Sequence, residues 1–311
     1  MIRHHYSRLR TMDRFDAMRV FTRIVERRSF TQAAGDLGLP RSSVTDAVKG
    51  LEARLGVRLL QRTTRHVSPT LDGEAYYQRC VSLLADLEDA EGAFVGAKPS
   101  GLIRMDVHGT QARHFLLPGL PRFLATYPGI RLHMSETHQQ LDLIREGFDC
   151  ILRAGELANS PLIRRRLATL ERGTFASPGY LRRFGTPRTP EELEGHEMVG
   201  LLATDTAKIS PLLFTVAGKV RQLTLPASLT VTGPETNVAA ACLGIGLIQV
   251  PRYRVAAELA GGALVEVLAD FPPAALPVHV LYSHTRQLSP RLRVLIDWMA
   301  AQFRERAGPA L

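Results

Sequence analysis

The residues of this sequence that could do chemistry lack the spacings of a catalytic or metal site. No G-x-S-x-G, G-x-x-x-x-G-K-[ST] or H-E-x-x-H pattern occurs, so the sequence predicts no nucleophilic, phosphate-loop or zinc-dependent reaction. Cys80, Cys150 and Cys242 lie far apart, which excludes a CxxC metal site and a disulfide framework. We therefore expect a protein that is not an enzyme and that has no cofactor or metal.

Positive charge that could bind nucleic acid is concentrated near the N-terminus. Residues 1–66 contain 14 Lys and Arg against 6 Asp and Glu, whereas residues 67–97 contain 1 against 6. A basic segment of this density can neutralise phosphates, although a solvated basic face would have the same composition. The whole chain of 311 residues has a net charge of +9, so much of the excess is local.

Hydrophobic spacing divides this basic segment into three helices. Residues 13–28 carry apolar side chains at helical spacing, Thr31 can cap a second helix over 32–37, and a third helix is predicted over 42–55. A Gly-Leu-Pro turn separates the last two, because glycine tolerates positive φ and proline cannot continue the preceding helix. Two helices joined in this way form a helix-turn-helix, whose second helix enters the major groove of DNA.

The third helix and the segment after it supply the candidate DNA contacts. One face of the helix is apolar, while the other presents hydroxyls, a carboxylate and cations that can bond to base edges or phosphates. The segment RTTRHVSP predicts a short wing, whose arginines could enter the minor groove or could instead fix the wing by a salt bridge. With one residue of the second helix, the candidates are Gln32, Arg41, Ser42, Ser43, Thr45, Asp46, Lys49, Arg62, Arg65 and His66.

Residues 12–77 resemble the winged helix-turn-helix of the LysR-type transcriptional regulators. The matching motifs are SFTQAA, V-T-x-x-V-x-x-LE-x-x-LG, RLLQRTTR and T-x-x-G, and the resemblance continues through the chain. It implies an α/β protein with an N-terminal winged helix-turn-helix, a long linker helix and a two-lobed effector domain like the periplasmic binding proteins. It also implies a homodimer or homotetramer that binds double-stranded DNA at dyad-symmetric promoter sites under the control of a small-molecule effector. RNA polymerase is a further partner that the resemblance allows.

Two positions depart from the usual LysR pattern. Asp46 stands where the family often has Arg, Lys or Gln; its carboxylate could accept from a cytosine amino group or pair with Lys49 in the same helix. Pro40-Arg41 stands where the family often has Ser-Gln, so Pro40 is predicted at the first helical position without a hydroxyl cap. The operator sequence is therefore left open. Residues 1–11, which precede the usual start of the family, are either a basic arm or a misassigned start.

A long helix without proline is predicted over residues 71–95. Six apolar or small residues recur in it at intervals of 4, 3, 4, 3 and 4, which is the heptad seam of a helix pair. The alternative is a single amphipathic helix that lies on its own domain. A pair of such helices would place two recognition helices on two half-sites of DNA. The seam residues are Tyr76, Cys80, Leu83, Leu87, Ala90 and Phe94.

From residue 101 onward the pattern changes to alternating strands and helices. Strands are predicted over 102–107, 130–134 and 149–153, with helices over 114–127 and 139–146 between them. This alternation predicts a parallel sheet with crossover helices. In such sheets ligands gather beyond the carboxyl ends of the strands, where helix N-termini offer N–H groups to anions.

The LysR resemblance implies a division of the chain and a ligand site. The parts would be the winged helix-turn-helix 12–70, the linker helix 71–97, and the effector domain 101–311 with one lobe over 101–173 and 277–311 and another over 174–276. Thr110 falls on the Ser/Thr ligand position of the family. The candidate effector-binding residues in the cleft are His108, Thr110, Gln111, Ser135, Thr137, Leu202, Thr204, Thr236 and Asn237.

The distribution of apolar residues indicates where in the cell the protein acts. No apolar run reaches the roughly 18–20 residues of a membrane span, and no apolar segment follows the basic start as in a secretory signal. We therefore expect a cytoplasmic protein without a membrane partner. Two other functions stay open: a DNA-binding architectural or repressor protein that needs no effector, and a small-molecule-binding or metabolic enzyme with an accessory helical domain. Stabilisation by small ligands tests the first, and sequence-specific DNA binding tests the second.

Overall fold

The computed structural model describes residues 12–62, 67–95, 98–136, 147–155, 162–203, 208–283 and 288–307. Residues 1–11 and the helix predicted over 139–146 lie outside these ranges. The N-terminal part consists of helices α1 (Arg14–Arg27), α2 (Phe30–Leu37) and α3 (Arg41–Leu55), strands β1 (Leu60–Arg62) and β2 (Val67–Pro69), and the long helix α4 (Leu71–Val95).

The starts of α2 and α3 differ from the prediction. Ser29, and not Thr31, caps α2, because its hydroxyl accepts the Gln32 backbone N–H at 3.2 Å. Pro40 is the cap residue of α3 with extended backbone, so Arg41 is the first helical residue. No side chain caps α3, in agreement with the missing hydroxyl at this position.

The N-terminal helices pack around one small core. Each contributes an apolar stripe at helical spacing, as the sequence predicts, and the fully buried Ala33 lets α2 lie close to its neighbours. The core also takes side chains from the segment before the wing and from α4. Its buried members include Val20, Phe21, Ile24, Ala33, Val44, Val48, Leu51, Leu59 and Cys80.

The C-terminal part alternates strands with mostly short helices. Its strands are β3 (Gly101–Val107), β4 (Ile130–Ser135), β5 (Cys150–Ala154), β6 (Ile163–Leu170), β7 (Arg172–Ala176), β8 (Val199–Leu201), β9 (Leu212–Val216), β10 (Lys219–Leu223), β11 (Leu229–Val231), β12 (Ile248–Pro251), β13 (Val265–Val267) and β14 (Leu276–Tyr282). Its helices are α5 (Leu120–Thr126), α6 (Pro178–Phe184), α7 (Pro234–Cys242), α8 (Ala256–Ala260) and α9 (Pro290–Ala307). Before α5, residues 109–119 form consecutive short helical turns, including a π-helix (Ala112–Leu116), rather than one regular helix.

The first of two strand groups is a five-stranded sheet in the order β4-β3-β5-β14-β6. Strand β3 is parallel to β4 and β5, whereas β14 is antiparallel to both β5 and β6. The three strands predicted to form a parallel sheet do so, and the antiparallel pairings of β14 make the complete sheet mixed. Helix α9 packs on it through Leu295, Ile296, Met299 and Phe303.

The second strand group is assembled from three smaller sheets. Strands β12-β7-β13 are antiparallel, β8 and β11 are parallel, and β9 and β10 form a hairpin. The chain passes from the first group to the second at Glu171, between β6 and β7, and returns between β13 and β14. None of the helices in the described ranges is long and apolar enough to cross a membrane.

Candidate functional site

The outward face of α3 is polar and carries unpaired charges. Arg41, Ser42, Asp46 and Lys49 are exposed, and Ser43 and Thr45 are half-buried beside them. Within the described ranges no ion pair joins the two cations or the carboxylate to another side chain, so the helix does not contain the Asp46–Lys49 pair that the spacing allows. These groups are therefore available to an external partner.

The hydrogen bonds at the start of α3 leave further polar groups available. The Thr45 hydroxyl donates to the Arg41 carbonyl oxygen at 3.0 Å, which leaves its oxygen free to accept. The N–H groups of the first turn have no side-chain cap and can bind a phosphate or water. Gln32 is exposed on α2, and because the Ser29 cap takes only its backbone N–H, its side chain projects freely.

The wing is attached to α3 by one carboxylate. Glu52 Oε1 accepts the backbone N–H groups of Leu59 and Leu60 at 2.9 and 3.1 Å. Arg62 ends β1 opposite Val67 of β2, while Arg65 and His66 lie outside the described residues. The prediction omitted Glu52; the acid of the LE pair in α3 was its only signal in the sequence.

The T-x-x-G motif joins the wing to α4. The Thr70 hydroxyl donates to the Arg58 carbonyl at 2.6 Å and accepts the Gly73 N–H at 2.9 Å, so it caps α4. Gly73 packs directly on the backbone of Leu59, where an added Cβ would overlap the carbonyl oxygen and lie 2.8 Å from the carbonyl carbon. Only glycine permits this approach, which sets the direction of α4 relative to the wing.

The six seam residues of α4 fall into two groups. Tyr76 and Cys80 pack into the core of their own chain, the Tyr76 ring 5.5 Å from that of Phe21, as the single-helix alternative expects. Leu83 is 46% exposed and Leu87 is half-buried, so both remain accessible to a second helix. The seam stays a prediction for these two and for Ala90 and Phe94, whose side chains lie outside the described part. Burial raises the pKa of Cys80 to about 11, so this thiol is unreactive.

A buried arginine connects α4 to the C-terminal part. Arg291, at the start of α9, is 1% exposed; its guanidinium donates to the Ala85 carbonyl at 2.9 Å and to Asp86 at 3.1 Å, and lies 3.8 Å from Asp149. Asp149 also accepts the Arg104 N–H at 2.8 Å, and burial raises the pKa of its carboxyl. This junction could not be predicted from the sequence pattern, because Arg291 falls on the apolar face of α9.

The predicted effector residues after β3 form a compact polar group. Thr110 is buried, and its hydroxyl lies 2.8 Å from His108 Nδ1 and 2.9 Å from the hydroxyl of Tyr253. Gln111 is also buried, and its side-chain oxygen has no hydrogen-bond partner among the described residues. Tyr253 was not predicted, because 143 residues separate it from Thr110.

The candidates after β4 are placed differently. Ser135 is half-buried and ends β4, while Thr137 lies outside the described residues. The carboxylate of Glu136 lies against Gly109, where an added Cβ would be 2.9 Å from the carboxyl carbon. An acidic group therefore already occupies the start of the helical turns, and this point is unsuited to a second anion.

The candidates on the second strand group are partly structural. Asn237 is buried and donates to the Val199 carbonyl at 3.1 Å, so it fixes α7 to β8. Leu202 contributes its backbone N–H to Val231 at 2.8 Å, Thr236 is exposed, and Thr204 lies outside the described residues. Glu235, beside Thr236, forms an ion pair at 2.9 Å with Arg113 of the first group, so α7 faces the residues that follow Thr110.

Tyr253 also lines a cavity to whose wall Thr110 does not belong. The cavity has a volume of about 360 Å³ and is lined in part by His114, Phe115, Arg252 and Arg306. Burial, and to a smaller extent the charge of Arg306, lower the pKa of His114. Across the described ranges no three His, Cys, Asp or Glu side chains are grouped as a metal ion would need.

Comparisons with protein families match both parts of the chain. The model described as "Bacterial regulatory helix-turn-helix protein, lysR family" matches residues 15–74, and "LysR substrate binding domain" matches residues 96–304. An HTH-type transcriptional regulator of Escherichia coli K12, YhjC, is 37% identical over 298 residues, which cover 94% of this chain and 99% of the relative. An HTH-type transcriptional repressor of Pseudomonas aeruginosa is 35% identical over 298 residues, covering 94% and 93%.

Solved structures of similar proteins cover nearly the whole chain. The LysR-type transcriptional regulator CrgA of Neisseria meningitidis is 31% identical, with a TM-score of 0.59 over 92% of this chain and 98% of its own. The full-length virulence activator AphB of Vibrio cholerae is 25% identical, with a TM-score of 0.56 over 93% and 99%. These relatives therefore share the order of an N-terminal helix-turn-helix part and a C-terminal α/β part.

Proposed function

The chain belongs to the LysR family of DNA-binding transcriptional regulators, and we propose that a homodimer or homotetramer of it binds a dyad-symmetric promoter site. Its substrate binding domain is the effector-binding domain of that family. We place the effector between two lobes, one formed by residues 101–173 and 277–311 and the other by residues 174–276. The winged helix-turn-helix would span residues 12–70 and the linker helix residues 71–97. The relatives are transcriptional regulators and not enzymes, so the enzyme alternative is set aside.

The observation that carries the proposed DNA contact is the unpaired polar face of α3. Val44, Val48 and Leu51 on its apolar face are buried in the core, whereas Arg41, Asp46 and Lys49 on its polar face have no ion-pair partner in the described part of the chain. A recognition helix inserted into the major groove needs such a face. The groove contacts would be Arg41, Ser42, Ser43, Thr45, Asp46 and Lys49, with Gln32, Arg62, Arg65 and His66 on the backbone or in the minor groove.

Salt titration of operator affinity tests this surface. Lys49→Ala and Arg41→Ala should each weaken binding and reduce the slope of log affinity against log salt by about 1 if the side chain contacts a phosphate. Arg19→Ala is the control, because it removes the same charge from α1, where Arg19 already pairs with Asp16 at 3.8 Å. Variants of Lys49 and Arg41 that keep the wild-type affinity and slope would remove these residues from the interface.

The proposed dimer contact uses the accessible apolar residues of α4. Leu83 and Leu87 lie four residues apart, so they share one face of the helix, and a second α4 would cover them. Leu83→Glu should shift the chain toward monomer in analytical ultracentrifugation and weaken operator binding. Leu71→Glu is the control, because Leu71 is 93% exposed at the start of the same helix and lies outside the seam. An unchanged sedimentation coefficient for Leu83→Glu would exclude this face.

We further propose that an effector controls the protein in the cytoplasm and that the protein contacts RNA polymerase at the promoter. The hydrogen-bonded group of His108, Thr110 and Tyr253 supports a ligand site between the two strand groups. Footprinting of the chain on the DNA upstream of its own gene, with and without small carboxylates and aromatics, tests both parts. Protection that no compound changes would favour the architectural or repressor alternative, and absence of protection would refute operator binding there.

A further inference from the structure

Two arginines at the crossing between the strand groups have no counter-ion in the described part of the chain. Arg172 begins β7; its guanidinium reaches Gln249 Oε1 at 3.4 Å, and its Nε is buried without a hydrogen-bond partner. Burial and the nearby charge of Arg254 lower the pKa of Arg172. A desolvated guanidinium without a carboxylate is costly, which makes this position a candidate for an external anion.

Arg254 is the second of these arginines. It lies in the short helical segment Arg252–Val255, is half-buried, and donates from Nε to the Tyr253 hydroxyl at 3.4 Å. Its neighbour Arg252 contacts both Glu266 and Glu171, whereas no acid contacts Arg254 within the ranges described. Two of the three arginines at this crossing are therefore unneutralised, and they lie near each other because β12 pairs Pro251 with Arg172 and Arg254 follows Pro251 by three residues.

Hydrogen bonds connect Arg254 to the proposed effector site. The Tyr253 hydroxyl accepts from Arg254 and is bonded at 2.9 Å to the Thr110 hydroxyl, which in turn lies 2.8 Å from His108 Nδ1. His108 Nδ1 also accepts the Thr110 backbone N–H at 3.3 Å, so it acts as an acceptor. Each group in this series therefore donates a hydrogen bond to the next, from Arg254 through Tyr253 and Thr110 to His108. The remaining N–H groups of Arg254 are available to a ligand.

We propose that Arg172 and Arg254 bind the carboxylate of an organic acid, which is the effector of this protein. A guanidinium presents a planar fork of N–H donors that matches a carboxylate, and a shared anion would relieve the repulsion between the two cations. The inference rests on the proposed effector control, and it adds the chemical class of the ligand and the residues that select it. Neutral analogues would leave both cations uncompensated and would bind poorly.

Binding measurements with defined probes test the proposal. Benzoate, succinate and acetate are compared with benzamide and succinamide by thermal shift and calorimetry on the full chain. The carboxylates should raise the melting temperature of the wild type and the amides should not. Arg172→Gln and Arg254→Gln should each weaken carboxylate binding about tenfold to a hundredfold. Arg252→Gln, whose side chain is already paired, should retain it.

Further readouts separate this proposal from a purely structural role. Without ligand, Arg254→Gln should melt at or above the wild-type temperature, because it removes an uncompensated charge. Equal stabilisation by amides and carboxylates, no stabilisation by any carboxylate, or retained binding in both variants would overturn the inference. Carboxylate binding that depends on the arginines but leaves operator occupancy unchanged would refute effector control and keep the site. An operator response to carboxylates that persists in both variants would refute the assignment of the site to these arginines and leave effector control in place.

Discussion

Replacing Arg291 with methionine removes the cation from the junction between α4 and α9 while keeping an apolar stem of similar length. The variant loses the 2.9 Å bond to the Ala85 carbonyl and the charge 3.8 Å from Asp149. Asp149 then keeps the 2.8 Å hydrogen bond from the Arg104 backbone N–H, but no cation of the described residues faces it in an ion pair. Because Asp86 is 59% exposed on its side chain, its ion pair with Arg291 contributes little.

The expected loss of stability follows from these contacts. A hydrogen bond from a charged donor contributes about 1.5–3 kcal/mol. Removing one partner of a buried pair costs about 3–5 kcal/mol, because the other charge is left uncompensated. Since Asp149 is 3.8 Å away and not in close contact, we expect the lower end, about 3 kcal/mol. For a domain of this size that corresponds to a drop of about 6–12 °C in melting temperature.

Urea and thermal unfolding of the full chain measure this loss. Arg293→Met is the matched control, because Arg293 is exposed on the same helix and should change stability by less than about 0.5 kcal/mol. Adding Asp149→Asn to Arg291→Met should restore more than half of the loss, since the carboxylate that Arg291 faced at the junction is then gone. An Arg291→Met chain that melts with the wild type would refute the idea that this buried charge holds the junction.

The pH dependence of the same variant is a second check. Burial raises the pKa of Asp149, so its protonated form favours the fold; that stability is present below its ordinary pKa and is lost as pH rises through the raised value. Removal of Arg291 takes away a cation that opposes this rise. The deficit of Arg291→Met should therefore be smaller near about pH 4 than near about pH 7. A deficit that grows toward acid would contradict the assignment to Asp149.

Three further predictions concern other parts of the chain. Gly73→Ala should cost about 1–3 kcal/mol and weaken operator binding, because the methyl group overlaps a backbone carbonyl; Gly35→Ala, in open space on α2, is the control for operator affinity and should not destabilise the chain. Tyr180→Phe should lower the free energy of unfolding in urea by about 1–3 kcal/mol, since its buried hydroxyl bonds to a backbone N–H at 2.8 Å. Iodoacetamide should modify the partly accessible Cys242 before Cys80, and mass spectrometry showing the opposite order would contradict the burial of Cys80.

The N-terminal winged helix-turn-helix is largely predictable from the sequence because the patterns that indicate its helices and turns are local. The apolar stripes of α1, α2 and α3 recur at helical spacing, and turn residues separate the helices. Errors there are small, such as the choice between two hydroxyl residues two positions apart, Ser29 and Thr31, as the cap of α2. The T-x-x-G motif is visible as a pattern, but the reason for Gly73 is the approach of the Leu59 carbonyl, which only the folded chain shows.

The C-terminal sheets are less predictable because their signals are weak. In β6, Arg164, Arg165 and Arg166 follow one another, so the strand does not alternate between polar and apolar residues. The β9–β10 hairpin turns at Ala217 and Gly218, which have φ of 48° and 75°. Such a turn usually contains Asn-Gly or Asp-Gly, so alanine at the first position hides the hairpin. Neither β6 nor the hairpin could be inferred from composition.

The polar contacts of the candidate sites could be predicted least, because they join distant parts of the chain. Thr110 falls on a family position, but its partner Tyr253 is 143 residues away. Arg291 and Asp86 are 205 residues apart, and the arginine occupies a helical position that the pattern assigns to the core. Residue type alone identifies Thr110 as a candidate. The lack of a carboxylate beside Arg172 and Arg254 in the described ranges becomes visible only in the folded chain.

The strengths of these contacts indicate which of them an effector can change. The Arg113–Glu235 ion pair is exposed on both sides and contributes at most about 1 kcal/mol, and the Thr110–Tyr253 bond contributes about 1 kcal/mol. Their sum is comparable to the coupling energies of about 1–3 kcal/mol that are typical of allosteric ligands. We therefore expect a carboxylate that draws Arg254 from Tyr253 to shift the arrangement of the strand groups. The Arg291 junction is stronger, so we expect its contacts with α4 to persist when the strand groups rearrange.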